Sequence, residues 1–363
     1  MLIFTNKYFH EVKIVKLTYF LVALFVASCG IGNKSAGEEG AAKCTRDNWE
    51  LAAPEGVQVA VTHIDTMSLE NPYITYDIKS NGYYMVADGG YMWTSKDMHT
   101  WSGPYEVLQP DTASWIGVSP VVTSPEIHRF NNRYYYMATF EVPGTVVNDA
   151  SGRPFVRRSC SVLVADTIIG PYRTIDPNSE LLVKEEMAAH PTFCVDEFKV
   201  GYMIYNHQGE QNGDGTVQIV RFTPDLGRRM GEAYVMFTAS RNNWSQAVID
   251  GKEQFSPYIE SPTFFIANDY VLGIMFNTYI NGKRATGVAY SNTGSLNGPW
   301  IIDEKPLFTD GLGVVNMFND YDGTLVVVAN KDTVINGEKK NTIRLFKADT
   351  QFDKLQIKGN YKF

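Results

Sequence analysis

Positive charge is scarce in this chain. Its 363 residues carry 32 Lys and Arg against 40 Asp and Glu, a formal net charge of -8. A surface of that sign does not neutralise phosphates, so nucleic acid is excluded as a partner. Cysteine is scarcer still: Cys29, Cys44, Cys160 and Cys194 are the only four. They share no metal-ligand spacing and form no disulfide framework. The apolar run at 17–27 (LTYFLVALFVA) is too short to span a bilayer. After residue 50 there is no long stretch of helical periodicity. Disorder is excluded as well, because only 20% of residues are charged and 44% are hydrophobic.

The N-terminus reads as an export signal. Lys7, Lys13 and Lys16 precede the apolar run, which ends in Val26-Ala27-Ser28-Cys29. That ending resembles the lipobox of bacterial lipoproteins, which implies cleavage before Cys29 and its acylation; a plain signal peptide or a short anchor is the alternative. Residues 1–28 are then the signal and 29–55 a Gly/Ala/Glu-rich tether, with 56–363 the folded domain. The expected location is the periplasmic or outer-membrane/cell-surface face of a Gram-negative bacterium, with the membrane touched through the lipid anchor only. Cys160 (SCSVLVAD) and Cys194 (TFCVDE) sit in apolar strand patterns, as buried thiols or as a disulfide.

What is abundant is aromatic and repetitive. There are 20 Phe, 21 Tyr and 6 Trp, types that suit a pleated surface and also sugar-binding faces. A strand, a tight turn and a second strand recur five times. NPYIT, SPEIH, HPTF and SPTFF open four copies at Pro72, Pro125, Pro191 and Pro262, and VVNMF opens a fifth without Pro. Asn81-Gly82 and Asp322-Gly323 are hairpin turn signals. A third strand with a shared ending follows in three copies, at Gly103-Pro104, Gly170-Pro171 and Gly298-Pro299. Five such units predict an all-β, five-bladed β-propeller. Since Pro cannot donate to a ladder, each is expected at the first residue of its unit's innermost strand. The residues beside them, Asn71, Ser124 with Glu126, His190, and Glu260 with Ser261, should then converge on one funnel.

These motifs in this order resemble glycoside hydrolase family 43. The resemblance runs from about Met67 to Asn330 and rests on NPYI, SPEIHRFNNRYYYMA, VLVADTIIGPY, TFCVDE, GVAYSNTGSLNGPW and TDGLG. A sialidase Asp-box is a weaker reading of Ser95-Lys96-Asp97 to Trp101, whose spacing is one residue short. Membership implies a five-bladed propeller that inverts arabinose-, xylose- or galactose-type linkages in an oligo- or polysaccharide. Inversion needs an acid and a base on opposite sides of the bond. The resemblance places the acid at Glu260 (E-S-P), the base at Asn71 (N-P) and the acid's modulator at His190 (H-P). Two of the three carboxylates are therefore replaced. An amide accepts no proton at neutral pH, and loss of a base costs about 10²- to 10⁴-fold. A charged His190 is expected to lower the acid's pKa rather than raise it.

Glu126 matches a family Glu and is the best substitute base. Glu70 is discounted because neighbouring strand residues face opposite ways. His128 alternates with Glu126 and lines the same face, as a substrate contact or as plain channel lining. Asp310 matches a family Asp, but Gly311 replaces the His that usually follows it near a central ion, so no metal and no other cofactor is expected. His207 resembles a family His after the third unit's second strand. Trp93, Trp115 and Trp244 are candidates for sugar stacking, Trp244 foremost, whereas Tyr134, Tyr135 and Tyr136 are assigned to packing. Three functions stay open: a glycosidase, a carbohydrate-binding pseudoenzyme, and a protein-interaction platform.

Overall fold

The computed structural model describes residues 49–363, apart from 180, 184–185, 250–251, 269 and 336. The signal at 1–28, Cys29, Cys44 and most of the 29–55 tether lie outside the described residues.

These residues form five sheets, the blades of a β-propeller. Blade one contains β1 (Ala60–His63), β2 (Tyr73–Asp77), β3 (Gly82–Val86), β4 (Met92–Ser95) and β5 (Thr100–Tyr105). Blade two contains β6 (Val122–Phe130), β7 (Arg133–Asn148), β8 (Pro154–Ala165) and β9 (Arg173–Thr174). Blade three contains β10 (Ala188–Val195), β11 (Gly201–His207), β12 (Thr216–Arg221) and β13 (Tyr234–Thr238), with a short helix α1 (Gly209–Asn212) between β11 and β12. Blade four contains the hairpin β14 (Gln246–Ile249) and β15 (Lys252–Phe255), then β16 (Glu260–Asn268), β17 (Val271–Ile280), β18 (Lys283–Ser291) and β19 (Ile301–Ile302). Blade five contains β20 (Leu312–Asn319), β21 (Leu325–Ile335), β22 (Glu338–Asp349) and β23 (Gln356–Asn360). The innermost strands β2, β6, β10, β16 and β20 neighbour one another around the axis, and β20 returns to β2. The expected architecture is therefore the observed one.

The aromatics are spent between blades. Five apolar cores form, each drawn from two adjacent sheets. Trp101, Trp300, Tyr136, Tyr172 and Tyr205 are fully buried in them, each such side chain contributing about 1.5–3 kcal/mol or more by area. Asparagines on blade five close the ring. Asn316 Oδ1 accepts from Ile74 N at 3.1 Å and its Nδ2 donates to Ile74 O at 2.7 Å. Asn330 Nδ2 donates to Leu69 O at 3.0 Å. Cys160 and Cys194 are buried free thiols, and burial pushes both well above the usual thiol range.

One expectation needs correction. Pro72 does precede its strand, but Pro125, Pro191 and Pro262 lie inside β6, β10 and β16. The register of each inner strand breaks there, between Thr123 and Glu126, Ala189 and Thr192, and Glu260 and Thr263. A bulge frees the proline from the ladder, so the strand continues through it. The residue before each proline takes a left-handed backbone, with φ of 49° at Asn71, Ser124 and Ser261 and 51° at His190. Such a conformation is costly for a non-glycine residue and marks a place where the chain is bent for a purpose.

Candidate active site at the propeller axis

The four left-handed residues bring one position per blade to the axis. Asn71, Ser124, His190 and Ser261 meet there with Val315 of blade five, and Glu126 lies beside them. The cavity they leave is about 10 Å3, room for roughly one water. Three of their backbone amides are held by side chains from the preceding blade. Asn71 N donates to Asn330 Oδ1 at 3.0 Å, Ser124 N to Asp88 Oδ1 at 2.7 Å, and His190 N to Thr139 Oγ1 at 2.8 Å. Backbone groups that lose a ladder partner are thereby satisfied.

Each inner strand starts at this mouth, so the turn joining the second and third strands of each blade returns to it. These turns and the strand ends beside them supply polar groups that motif reading missed: Asp88 after β3, Arg158 on β8, Glu210 on α1, and Tyr279 with Arg284 beside the β17–β18 turn. Alignment of the repeats is the signal that locates them, since it places every second-to-third turn at one end.

Glu260 opens β16 and is partly buried. Burial raises its carboxyl above the usual range, with the Arg284 and Arg158 guanidiniums pulling the other way. Glu260 in turn pushes the Tyr279 phenol up to about 12. The Tyr258 and Tyr279 rings meet edge to face at 5.5 Å, an aromatic wall beside the acid position. Glu210 is also raised, by burial first and then by Glu260. A carboxyl raised by burial beside a second carboxyl is an arrangement that suits general-acid chemistry. Arg284 lies 3.6 Å from Asp332 and hydrogen-bonds Tyr279, and its stem lies across Gly313, where a Cβ would come within 2.1 Å of Arg284 Cδ.

Burial lowers the pKa of His190, although Asn206 and Asp88 favour the charged form, so the ring is neutral near pH 7. The cations that oppose Glu260 are the two arginines. His190 Nδ1 lies 2.7 Å from Asn206 Oδ1; an amide oxygen only accepts, so Nδ1 carries the proton and Nε2 is left as an acceptor.

Asn71 turns its amide to a carboxylate. Its Nδ2 donates to Asp88 Oδ1 at 3.0 Å and Oδ2 at 3.1 Å. Burial raises Asp88, Glu70 adds to this, and the Ser124 amide, Asn71 and His190 oppose it. Glu70 itself turns away to Asn341 of blade five at 2.5 Å. Glu126 is 7% exposed and 2.6 Å from His128 Nε2. Burial raises it, with His128 and Thr192 opposing. The His128 ring packs edge-on against Tyr73 at 5.6 Å.

The remaining candidates lie off the axis. Trp244 stacks on Phe276, with centroids 6.4 Å apart, and donates to Asp303 O at 2.9 Å, so it packs a blade. Trp115 packs edge-on against Phe140 and Trp93 lies over Gly103. His207 faces Gln211 at 2.5 Å, on the sheet face opposite its neighbour Asn206. Asp310 is exposed and 3.7 Å from Lys283. The axial ion implied by the family resemblance does not fit the donors present. Among the described residues the group with three metal-ligand side chains in reach is His63, Asp65 and His99, where β1 ends and the β4–β5 turn lies, at the end of blade one away from the mouth.

Comparison with known proteins agrees with this geometry. The profile of glycosyl hydrolases family 43 matches residues 64–347. No curated protein matches the chain. Among solved structures, an endo-arabinase from Bacteroides thetaiotaomicron VPI-5482 superposes with TM-score 0.65 at 21% identity, over 78% of this chain and 95% of that one. A thermostable family-43 glycoside hydrolase gives 0.62 at 16% identity, over 83% and 97%. An endo-1,4-β-xylanase from Bacteroides thetaiotaomicron VPI-5482 gives 0.59 at 15% identity, over 84% and 97%. At these identities the superpositions speak for the fold.

Proposed function

Because this chain belongs to glycosyl hydrolases family 43, as the match over most of its length shows, we propose that it hydrolyses arabinose-, xylose- or galactose-type linkages of a plant-type glycan with inversion, Glu260 serving as general acid. One observation carries this reading. Glu260, the residue to which the family resemblance gives the acid's part, adjoins the axial Ser261, and burial raises its carboxyl against two nearby arginines. A carboxyl whose pKa is raised holds its proton to higher pH than a free one and can deliver it to the leaving oxygen as the glycosidic bond breaks. The similar structures named as an endo-arabinase and an endo-xylanase support a pentose-containing substrate. Tyr258 and Tyr279 offer rings for a sugar face.

We also propose that the protein is an exported lipoprotein, acylated at Cys29 and presented at the periplasmic or outer surface. Palmitate labelling that Cys29→Ala abolishes is the expected result.

A second reading is a carbohydrate-binding protein without turnover. Asn71 at the base position and the nearly closed axial cavity favour it. The deciding experiment incubates the wild-type domain with linear arabinan, xylan and β-galactan oligosaccharides and follows the anomeric product by NMR. Turnover with inversion that Glu260→Gln abolishes supports the hydrolase. Binding by calorimetry without turnover supports the second reading, and neither response removes both.

A further inference from the structure

At the base position of blade one a carboxamide stands where the chemistry needs a proton acceptor, yet a carboxylate is hydrogen-bonded to it. Asp88 can only accept, so the nitrogen of Asn71 must face it and Asn71 Oδ1 must point elsewhere. Asp88 also receives the Ser124 amide at 2.7 Å. Holding the next blade's backbone amide is a structural task, and neutral Asn330 and Thr139 perform it for Asn71 and His190. That task needs no charge. A carboxylate placed there, partly buried and beside the axial wall, therefore asks for another role.

Other acceptors fit less well. Glu126 is buried and engaged by His128 at 2.6 Å. Glu210 lies on the acid's side, where Glu260 raises it and the two together raise Tyr258.

We infer that Asp88 is the base of this site, taking a proton from the attacking water while Asn71 Oδ1 orients that water. This rests on the hydrolase reading above. The water oxygen bonds to the anomeric carbon on the side facing blade one, as the glycosidic C–O bond breaks on the side facing blade four. The Glu260 proton goes to the leaving oxygen and the water's proton to Asp88. Glu260 ends ionised and Asp88 protonated, and exchange with solvent restores both. The carboxylate has thus moved one hydrogen bond from the position the family uses, from residue 71 to residue 88.

Asp88→Asn keeps one oxygen for the Asn71 and Ser124 amides, as Asn330 does one blade earlier, and gives up the basicity together with the second oxygen's contact to Asn71. On the oligosaccharide that the wild type cleaves, kcat is expected to fall about 10²- to 10⁴-fold, with KM and melting temperature nearly unchanged. With the corresponding aryl glycoside, Asp88→Ala plus sodium azide should regain rate and yield the inverted glycosyl azide, which a structural role would not produce. A wild type that cleaves, stops with Glu260→Gln and loses less than tenfold with Asp88→Asn overturns this inference alone. So does the absence of glycosyl azide. A wild type that cleaves none of the glycans overturns the hydrolase reading and the inference with it.

Discussion

Nδ1 of His190 lies 2.7 Å from the carboxamide oxygen of Asn206, and this contact sets which ring nitrogen is bare. Burial lowers the pKa of His190. Its titration midpoint in histidine-labelled NMR spectra is expected below the ordinary 6.5. Since the unfolded chain then binds the proton more readily, His190 weakens the fold as pH drops through 6.5 and costs nothing above it. A midpoint above 6.5 would show a charged ring and return His190 to the electrostatic role that sequence reading gave it.

Glu260 has the opposite linkage. Its folded pKa is raised, so its contribution is present below the unfolded carboxyl range and is lost as pH rises through the folded value. At pH 7 its ionised form burdens the fold. Glu260→Gln should therefore raise the melting temperature at pH 7, with the gain shrinking toward pH 4. Calorimetric scans at the two pH values check this, and equal gains at both would refute it.

Gly313 has no left-handed backbone, so alanine is tolerated there by the main chain. Its Cβ would come within 2.1 Å of Arg284 Cδ and push the guanidinium aside. With that cation displaced, Glu260 rises further and the alkaline limb of the pH–rate profile moves to higher pH. Arg284→Met should move it the same way. A shift to lower pH in either variant contradicts the arrangement described.

Asn71→Asp alone would put two carboxylates about 3 Å apart, as the Asn71–Asp88 contact now stands, and one of them would stay protonated at neutral pH. The double variant Asn71→Asp/Asp88→Asn exchanges carboxylate and carboxamide. We expect it to recover at least tenfold of the rate lost in Asp88→Asn, and to exceed Asn71→Asp alone at pH 7. Kinetics on one oligosaccharide across the four proteins tests this; a double variant no better than Asp88→Asn refutes it.

Much of the architecture was legible in the linear chain. Strand alternation, the Asn81-Gly82 and Asp322-Gly323 turns and the recurrent prolines are local signals, read over a few residues, and five repeats of a unit that cannot bury its faces alone leave a closed ring as the solution. The same repeats bring Asn71, Ser124, His190 and Ser261 to one axis. Where the prolines sit inside their strands was not legible, because a bulge depends on side chains such as Thr139 and Asp88 arriving from the neighbouring blade.

The site's chemistry belonged to tertiary structure for a related reason. Asn71 looked like a lost base, and only the fold set Asp88 against its amide. His190 looked like a cation beside Glu260, and only burial made it neutral while Arg158 of blade two and Arg284 of blade four took the places beside Glu260. Trp244 looked free to stack on sugar, and packing against Phe276 claimed it. Periodicity is carried by neighbours in sequence and so determines the ring. Protonation and contact depend on distances across blades and on exclusion of water, and these exist only once the ring has closed.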